Sequence, residues 1–200
     1  MENVEQKLLA AAEKIFVEKG FSAAKTTDIA AQAGVTHAML HYYFRTKEAL
    51  FDKVFDEKIK FFASELSSVF MDTEEKDILK RICKAAGRHF DVMAQNPQLP
   101  GFIFTELRAH PDKMGKAVEG IKSAAGIFLP ILQKDIDEGV KNGTVCQVEA
   151  ATVMLDIMAL NSVSIMLTPI ASNALGVDRQ KYLAARRKEN IETIRKRLSR

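Results

Sequence analysis

The stretch TDIAAQAGVTHAMLHYYF, residues 27–44, decides the fold of this 200-residue chain. Its first helical segment ends at Gly34, and its second begins after Thr36, a residue type that caps helix N-termini. A short turn that contains glycine and separates two short helices is typical of a helix-turn-helix. The sequence therefore predicts two packed helices joined by a tight turn, the second of them over residues 37–44.

The second helix has two faces when its residues are placed about 100° apart. Leu40 and Phe44 share one face, which we predict to be buried, while Ala38 and Tyr42 point the opposite way. A small residue lets a helix lie deep in a major groove, and tyrosine hydroxyls donate to phosphates. We therefore predict that the outer face contacts DNA. The alternative, that Tyr42 and Tyr43 are core rings, fits the helix phase less well.

The rest of the chain has the apolar period of amphipathic helices, and no convincing alternating strand is seen. Gly20 followed by Phe21 is predicted to end the first helix. A long helix begins at Lys47, and two more close the chain at about residues 148–168 and 178–198. We predict an all-α protein of about nine helices.

Composition and motifs argue against several classes of function. The chain has none of the motifs GxSxG, GxxxxGK or GxGxxG, so we predict that it is not an enzyme and needs no cofactor. Cys83 and Cys146 lack the spacing of a zinc or dithiol site, which predicts reduced thiols in a cytoplasmic protein. The apolar stretch 150–170 has Asp156 within it, which favours a buried helix over a membrane span.

Charge is unevenly distributed along the chain. Residues 1–60 carry nine basic and nine acidic groups, and residues 179–200 carry nine basic and two acidic groups. A neutral DNA-binding segment predicts modest non-specific affinity and a moderate dependence of binding on salt. We interpret the basic tail as a solvated helix face, with contact to nucleic acid or lipid as the alternative.

Residues 14–55, KIFVEKGFSAAKTTDIAAQAGVTHAMLHYYFRTKEALFDKVF, resemble the tetracycline-repressor (TetR) family of bacterial regulators. The resemblance rests on GF, DIA..AGV, L..YF and K.AL at the spacings of that family, and beyond this module only helix count and apolar pattern match. It implies a homodimer that binds a palindromic operator of double-stranded DNA and releases it when a small-molecule effector binds. We expect a helix-turn-helix domain at residues 1–46 and a ligand-binding and dimerisation domain at 47–200. The alternative is a helical dimeric DNA-binding or interaction protein with no effector.

By position, the resemblance implies DNA contacts around the second helix of the motif, at Lys25, Thr26, Thr27, Thr36, His37, Ala38, Met39, His41, Tyr42, Tyr43 and Lys47. His37, Ala38 and Met39 fall where the family contacts bases, and Lys47 falls on its phosphate-contacting lysine. Lys25 stands near where a capping Ser or Thr is common, so it is expected to touch phosphate instead.

A metal site at His37 and His41 is the competing interpretation of this helix. Their i,i+4 spacing can place two imidazoles on one ion, but the residues between them lack the glutamate of a zincin motif. No third ligand is evident in the sequence. We therefore predict no metal site.

The C-terminal region is rich in Phe and Met, interrupted by a few polar residues. The candidates for ligand contact are Phe62, Phe90, Phe102, Glu106, Met158 and Asn161. The apolar members suit a hydrophobic or aromatic ligand and the polar ones would orient it, although core packing and internal pairs explain the same pattern.

The two closing helices are predicted to be too apolar for the surface of a monomer. Two copies would pair them in a four-helix interface around a two-fold axis. Such a dimer would separate its two recognition helices by about 34–36 Å, one turn of DNA. We predict no association with a membrane.

Overall fold

The computed structural model describes residues 3–70, 75–109 and 111–199. The helices there are α1 (Val4–Ala23), α2 (Thr26–Gln32), α3 (His37–Tyr43), α4 (Lys47–Phe70), α5 (Ile78–Gln95), α6 (Leu99–Ala109), α7 (Pro111–Lys141), α8 (Ala150–Met166) and α9 (Arg179–Leu198), with a π-helical turn at Ile170–Ala174. Strands are absent from these described ranges. The predicted all-α fold is therefore confirmed.

Helix α1 is broken near its end rather than stopped there. Gly20 has φ 73° and ψ 169°, outside the helical region, and hydrogen-bonded helix resumes as far as Ala23. A positive φ of this kind is open to glycine and strained for residues with a side chain. The predicted end of the helix at Gly20 is thus a sharp bend, which separates Phe21 from the straight part of α1.

The chain forms two compact units. Unit 1 consists of Met1–Phe61 and Gly101–Gly120, and unit 2 consists of Phe62–Pro100 and Ile121–Arg200. Helices α4, α6 and α7 each begin in one unit and end in the other. The boundary predicted between residues 46 and 47 separates functions and not compact units. The division into domains at residues 1–46 and 47–200 therefore stays a prediction.

Phenylalanine rings form the centre of unit 1. Phe51 on α4 contacts the rings of Phe16, Phe21 and Phe102, with centroids 5.0, 4.9 and 6.0 Å away. Phe102 belongs to α6, so this cluster fastens α6 to α1 and α4. Burying aromatic rings edge to face adds a favourable quadrupole interaction to their hydrophobic burial.

Unit 2 holds a buried polar network where α5, α8 and α9 meet. The side-chain amide of Asn161 donates to the carbonyl of Ala86 at 2.8 Å and to Nδ1 of His89 at 3.1 Å. Its oxygen accepts a hydrogen bond from Asn190 at 2.9 Å. Satisfied polar groups of this kind cost little to bury and fix the register of the helices around them.

His89 makes the stability of the protein depend on pH. Burial lowers its pKa from 6.5 to about 4. The unfolded chain therefore takes up a proton near pH 6.5, while the folded chain does so only near pH 4. The contribution of neutral His89 to the free energy of unfolding is fully present above pH 6.5 and decreases as the pH falls. At pH 4 this contribution has decreased by about 3 kcal/mol.

We expect chemical denaturation to show this decrease between pH 7 and pH 4, and the variant His89→Gln to show much less of it. Glutamine offers an acceptor to Asn161 but does not titrate. An equal decrease in both proteins would place the proton uptake on other groups.

Helix α8 carries apolar side chains on its exposed side as well as in the core. Exposed apolar side chains at helical spacing, here called the α8 stripe, are Leu155, Met158, Val163 and Met166, with Leu167 at the C-cap. The exposed side of α9 is instead largely charged, and only Asn190, Ile194 and Leu198 are buried. The apolar surface predicted for both closing helices thus belongs to α8.

No helix among the described residues combines the length and the apolar character needed to cross a membrane.

Candidate nucleic-acid interface

The turn between α2 and α3 has the geometry predicted from its sequence. Gly34 has φ 67°, and a side chain there would meet nothing within 4 Å, so the backbone angle is the reason for glycine. The hydroxyl of Thr36 accepts a hydrogen bond from the backbone of Met39 at 3.2 Å and caps α3. Capping satisfies one of the free N–H groups at a helix start. The helix-turn-helix is therefore well formed at both ends of its turn.

Helix α3 divides its rings between core and solvent. Leu40 and Phe44 are buried, whereas Tyr42 is 82% exposed and Tyr43 is 38% exposed. The rings of Tyr42 and Tyr43 also contact each other edge to face, with centroids 5.4 Å apart. The helix phase predicted from the sequence is confirmed, and Tyr42 is not a core residue.

His37 and His41 make contacts within the motif. Nε2 of His37 lies 2.9 Å from the hydroxyl of Thr26, which joins the beginnings of α2 and α3. Nδ1 of His41 lies 3.4 Å from the carbonyl of Arg45, an acceptor, so this nitrogen donates. The two rings meet edge to face at 4.4 Å. Among the described residues there is no group of three side chains able to hold a metal ion.

The beginning of α2 lacks a side-chain cap. Lys25 occupies the capping position and makes no such hydrogen bond, although its carbonyl accepts from the backbone of Asp28 and Ile29 at 3.1 Å. The side chains of Lys25 and Thr27 are exposed. The cap of α2, which the sequence leaves open, is therefore not supplied by a side chain, and the phosphate contact of Lys25 stays a prediction.

Lys47 at the start of α4 is held by the bend of α1. Its ammonium donates to the carbonyl of Ser22 at 3.3 Å and lies 4.6 Å from the ring centre of Phe21. The hydroxyl of Thr46 caps α4 by accepting from the backbone of Ala49 at 3.0 Å. The sequence does not predict the contact between Lys47 and Ser22, because no local pattern relates residues 25 positions apart.

Acidic groups of unit 1 are engaged in ion pairs with lysines. Asp28 lies 3.3 Å from Lys19, and Glu13 lies 2.6 Å from Lys58. Such pairs at the surface add little stability, but they cancel charge locally. The surface around α3 presents Lys25 and Arg45 with exposed side chains.

The candidates for ligand contact fall in both units. Phe102 and Glu106 lie in unit 1, and Phe90, Met158 and Asn161 lie in unit 2. The side chain of Phe62 is outside the described part of the structure.

Three of these candidates have internal roles. Phe90 is buried against Val92, Met93 and Ile165. The carboxylate of Glu106 is 5% exposed and accepts a hydrogen bond from the backbone of Phe21 at 2.9 Å. Asn161 belongs to the buried network described above, and the role of the whole set in ligand binding stays a prediction.

Sequence comparison relates the N-terminal part of the chain to a family of regulators. Residues 8–54 match the family model for bacterial regulatory proteins of the tetR family. The chain is 26% identical over 139 residues to the fatty acid metabolism regulator protein of Bacillus subtilis, covering 69% of each chain. It is 24% identical over 144 residues to the transcriptional repressor NicS of Pseudomonas putida, covering 70% of this chain and 66% of that protein.

Solved structures show the same fold over nearly the whole chain. The regulator FadR of Bacillus subtilis, solved in complex with stearoyl-CoA, superposes with a TM-score of 0.66 at 20% identity, covering 96% of this chain and 97% of that one. A TetR-family transcriptional regulator of Vibrio parahaemolyticus gives a TM-score of 0.64 at 21% identity, covering 99% of this chain and the whole of the other. At these identities the likeness establishes the fold.

Proposed function

We propose that the chain regulates transcription as a regulator of the TetR type, because residues 8–54 match the family model of bacterial regulatory proteins of the tetR family. Two copies bind a palindromic operator through α3, repress the adjacent gene, and release the DNA when a small ligand binds. The observation that carries the proposal is the exposure of Tyr42 on a capped helix whose opposite face is buried. A protein with this task acts in the cytoplasm, where bacterial DNA lies.

We assign the DNA contacts by the position of each side chain on α3. Ala38 and Met39 are exposed near its start, where a small residue allows close approach to bases and a thioether can meet thymine methyl groups. Tyr42 and Tyr43 would donate hydrogen bonds to phosphates at the groove edge. Lys47 would place its ammonium on a phosphate, since the carbonyl of Ser22 uses one of its three N–H groups and leaves two.

The same assignment covers the beginning of α2. Lys25 and Thr27 are exposed there, and both offer donors to the backbone of the DNA. His41 keeps one nitrogen on the carbonyl of Arg45, so its other nitrogen would meet the DNA.

We propose that the α8 stripe is the centre of the homodimer interface. A row of exposed Leu, Met and Val is unfavourable in water and would be covered by the same row of a second copy across a two-fold axis. A dimer formed by pairing α8, with α9 beside it, would carry two α3 helices, one for each half of a palindromic operator.

We propose a long-chain fatty acyl thioester as the effector. Its support comes from the comparisons with Bacillus subtilis: a similar sequence there is named a fatty acid metabolism regulator, and the similar structure of FadR was solved with stearoyl-CoA. The Phe and Met content of the C-terminal region suits an acyl chain, because such pockets are lined mainly by apolar side chains. A regulator with no effector is the alternative.

Nuclease footprinting on the DNA upstream of its own gene tests this function. We expect saturable protection of one palindrome, relieved by micromolar stearoyl-CoA but not by coenzyme A alone. Relief by free stearate as well would assign recognition to the acyl chain. Binding of equal strength to unrelated DNA would contradict an operator function, and protection unaffected by stearoyl-CoA would contradict the proposed effector.

A further inference from the structure

We propose that Glu106 on α6 is a positioning residue that sets the DNA contact of Lys47. It acts through the backbone of Phe21 and Ser22, at the bend of α1. The proposal rests on the proposed function, because it takes Lys47 to bind a phosphate of the operator. All the residues in this chain of contacts belong to unit 1.

The first contact joins α6 to the bend. Oε1 of Glu106 accepts a hydrogen bond from the backbone N–H of Phe21 at 2.9 Å, and only 5% of Glu106 is exposed. A side chain at Gly20 would place its Cβ 3.2 Å from the same oxygen. Glycine therefore provides both the positive φ of the bend and the room for the carboxylate. A charged acceptor in a largely dry site makes a strong hydrogen bond.

The second contact joins the bend to the start of α4. The ammonium of Lys47 donates to the carbonyl of Ser22 at 3.3 Å and lies over the ring of Phe21 at 4.6 Å. The ring belongs to the residue whose N–H Glu106 holds, and the carbonyl belongs to the next residue along the chain. The carbonyl and the ring together restrain the Lys47 side chain, which has four rotatable bonds. Because it is already restrained, less conformational entropy is lost when it binds DNA.

The ring of Phe21 supplies a further link to α6. It contacts Phe51 at 4.9 Å, and Phe51 contacts Phe102 at 6.0 Å. Phe102 precedes Glu106 by about one helical turn on the same helix. Helix α6 thus holds the bend by two contacts, an apolar one through Phe102 and a polar one through Glu106. The polar contact can be removed by a substitution that keeps the size of the side chain. Without it, the ammonium of Lys47 would no longer be placed in advance for a phosphate.

The test measures operator affinity at several salt concentrations for the full-length protein. In Glu106→Met, which keeps the size of the side chain and removes the acceptor, we expect affinity to fall about tenfold for each half-site, and so about 100-fold for the dimer, from the loss of roughly one charge-assisted hydrogen bond per half-site. The slope of log affinity against log salt should fall by up to about 0.9 for each lost phosphate contact, one per half-site. Glu106→Gln keeps an acceptor oxygen and should recover most of the affinity.

A double-mutant cycle with Lys47→Met separates positioning from simple destabilisation. If Glu106 acts through Lys47, Glu106→Met will have little further effect in the Lys47→Met protein. Glu57→Gln is the matched control, because it removes one carboxylate from an exposed pair with Lys53 in the same unit. It should leave affinity and salt slope as they are.

Several outcomes would overturn the proposal. Unchanged affinity and slope in folded Glu106→Met would do so, as would an equal loss with and without Lys47. Should Glu106→Met fail to fold, Glu106→Asp takes its place, since it keeps the charge but shortens the reach to Phe21. If the wild type binds no operator, the proposed function fails. If it binds while Lys47→Met leaves the salt slope unchanged, the phosphate contact of Lys47 fails, and this inference fails with it.

Discussion

Replacing Val163 by glutamate is expected to yield folded monomers that bind the operator about 10²–10⁴-fold more weakly than the wild type. Val163 lies within the α8 stripe and is exposed in the single chain, so the substitution should leave the monomer intact. In a dimer the new carboxylates would be buried without partners, which costs several kcal/mol. A monomer binds only one half-site at a time, so it lacks the higher affinity that comes from binding two linked half-sites. This loss accounts for the expected 10²–10⁴-fold decrease in affinity.

Analytical ultracentrifugation gives the oligomeric state, and thermal unfolding confirms the fold of the variant. Val163→Ala should remain dimeric, because it keeps the interface apolar. Lys134→Glu introduces the same charge at an exposed position of α7 and should also remain dimeric. If Val163→Glu sediments as a dimer at micromolar concentration, the stripe is not the interface.

The variant Tyr42→Ala is expected to weaken operator binding strongly while unfolding at nearly the wild-type temperature. The ring is 82% exposed, and surface substitutions usually change stability by less than about 0.5 kcal/mol. On the DNA, loss of a phosphate hydrogen bond costs roughly 1–2 kcal/mol in each half-site. Two half-sites then give a loss of about 30- to 1000-fold in affinity.

Leu40→Ala is the informative contrast, because it changes the same helix on its buried face. Leu40 is fully buried, and we expect a loss of about 2–5 kcal/mol in the free energy of unfolding. Tyr42→Phe should lie between wild type and Tyr42→Ala in affinity, since it removes only the hydroxyl. A large loss of stability in Tyr42→Ala would assign the ring to the core.

Local sequence signals were sufficient for the helices and for the faces of α3. Glycine and threonine at the turn, with Leu40 and Phe44 one helical turn apart, specify the motif through interactions between near neighbours. For the same reason the exposure of Tyr42 followed from the helix phase. The sequence left the cap of α2 open, and the structure shows no side-chain capping bond there.

Long-range contacts were not predictable from one sequence. Glu106 was interpreted as a candidate for ligand contact, and nothing within its own helix indicated that it holds Phe21, 85 positions earlier. The amide of Asn161 likewise depends on His89 and Asn190, which lie on two other helices. The position of an apolar residue in an amphipathic helix shows that it packs, but not which residues it contacts. That is why the ligand site remains a prediction while the fold is established.

The separation of roles on α3 has a consequence for evolution. Its attachment to the rest of the protein depends on Leu40, Phe44 and the cap at Thr36. The exposed side chains at positions 38, 39 and 42 do not contribute to that attachment. If these side chains contact the operator as proposed, a duplicated gene copy can acquire a new operator through a few substitutions at these positions, with little risk of unfolding. In such a group of related regulators, the DNA sequence that is bound can therefore change faster than the fold.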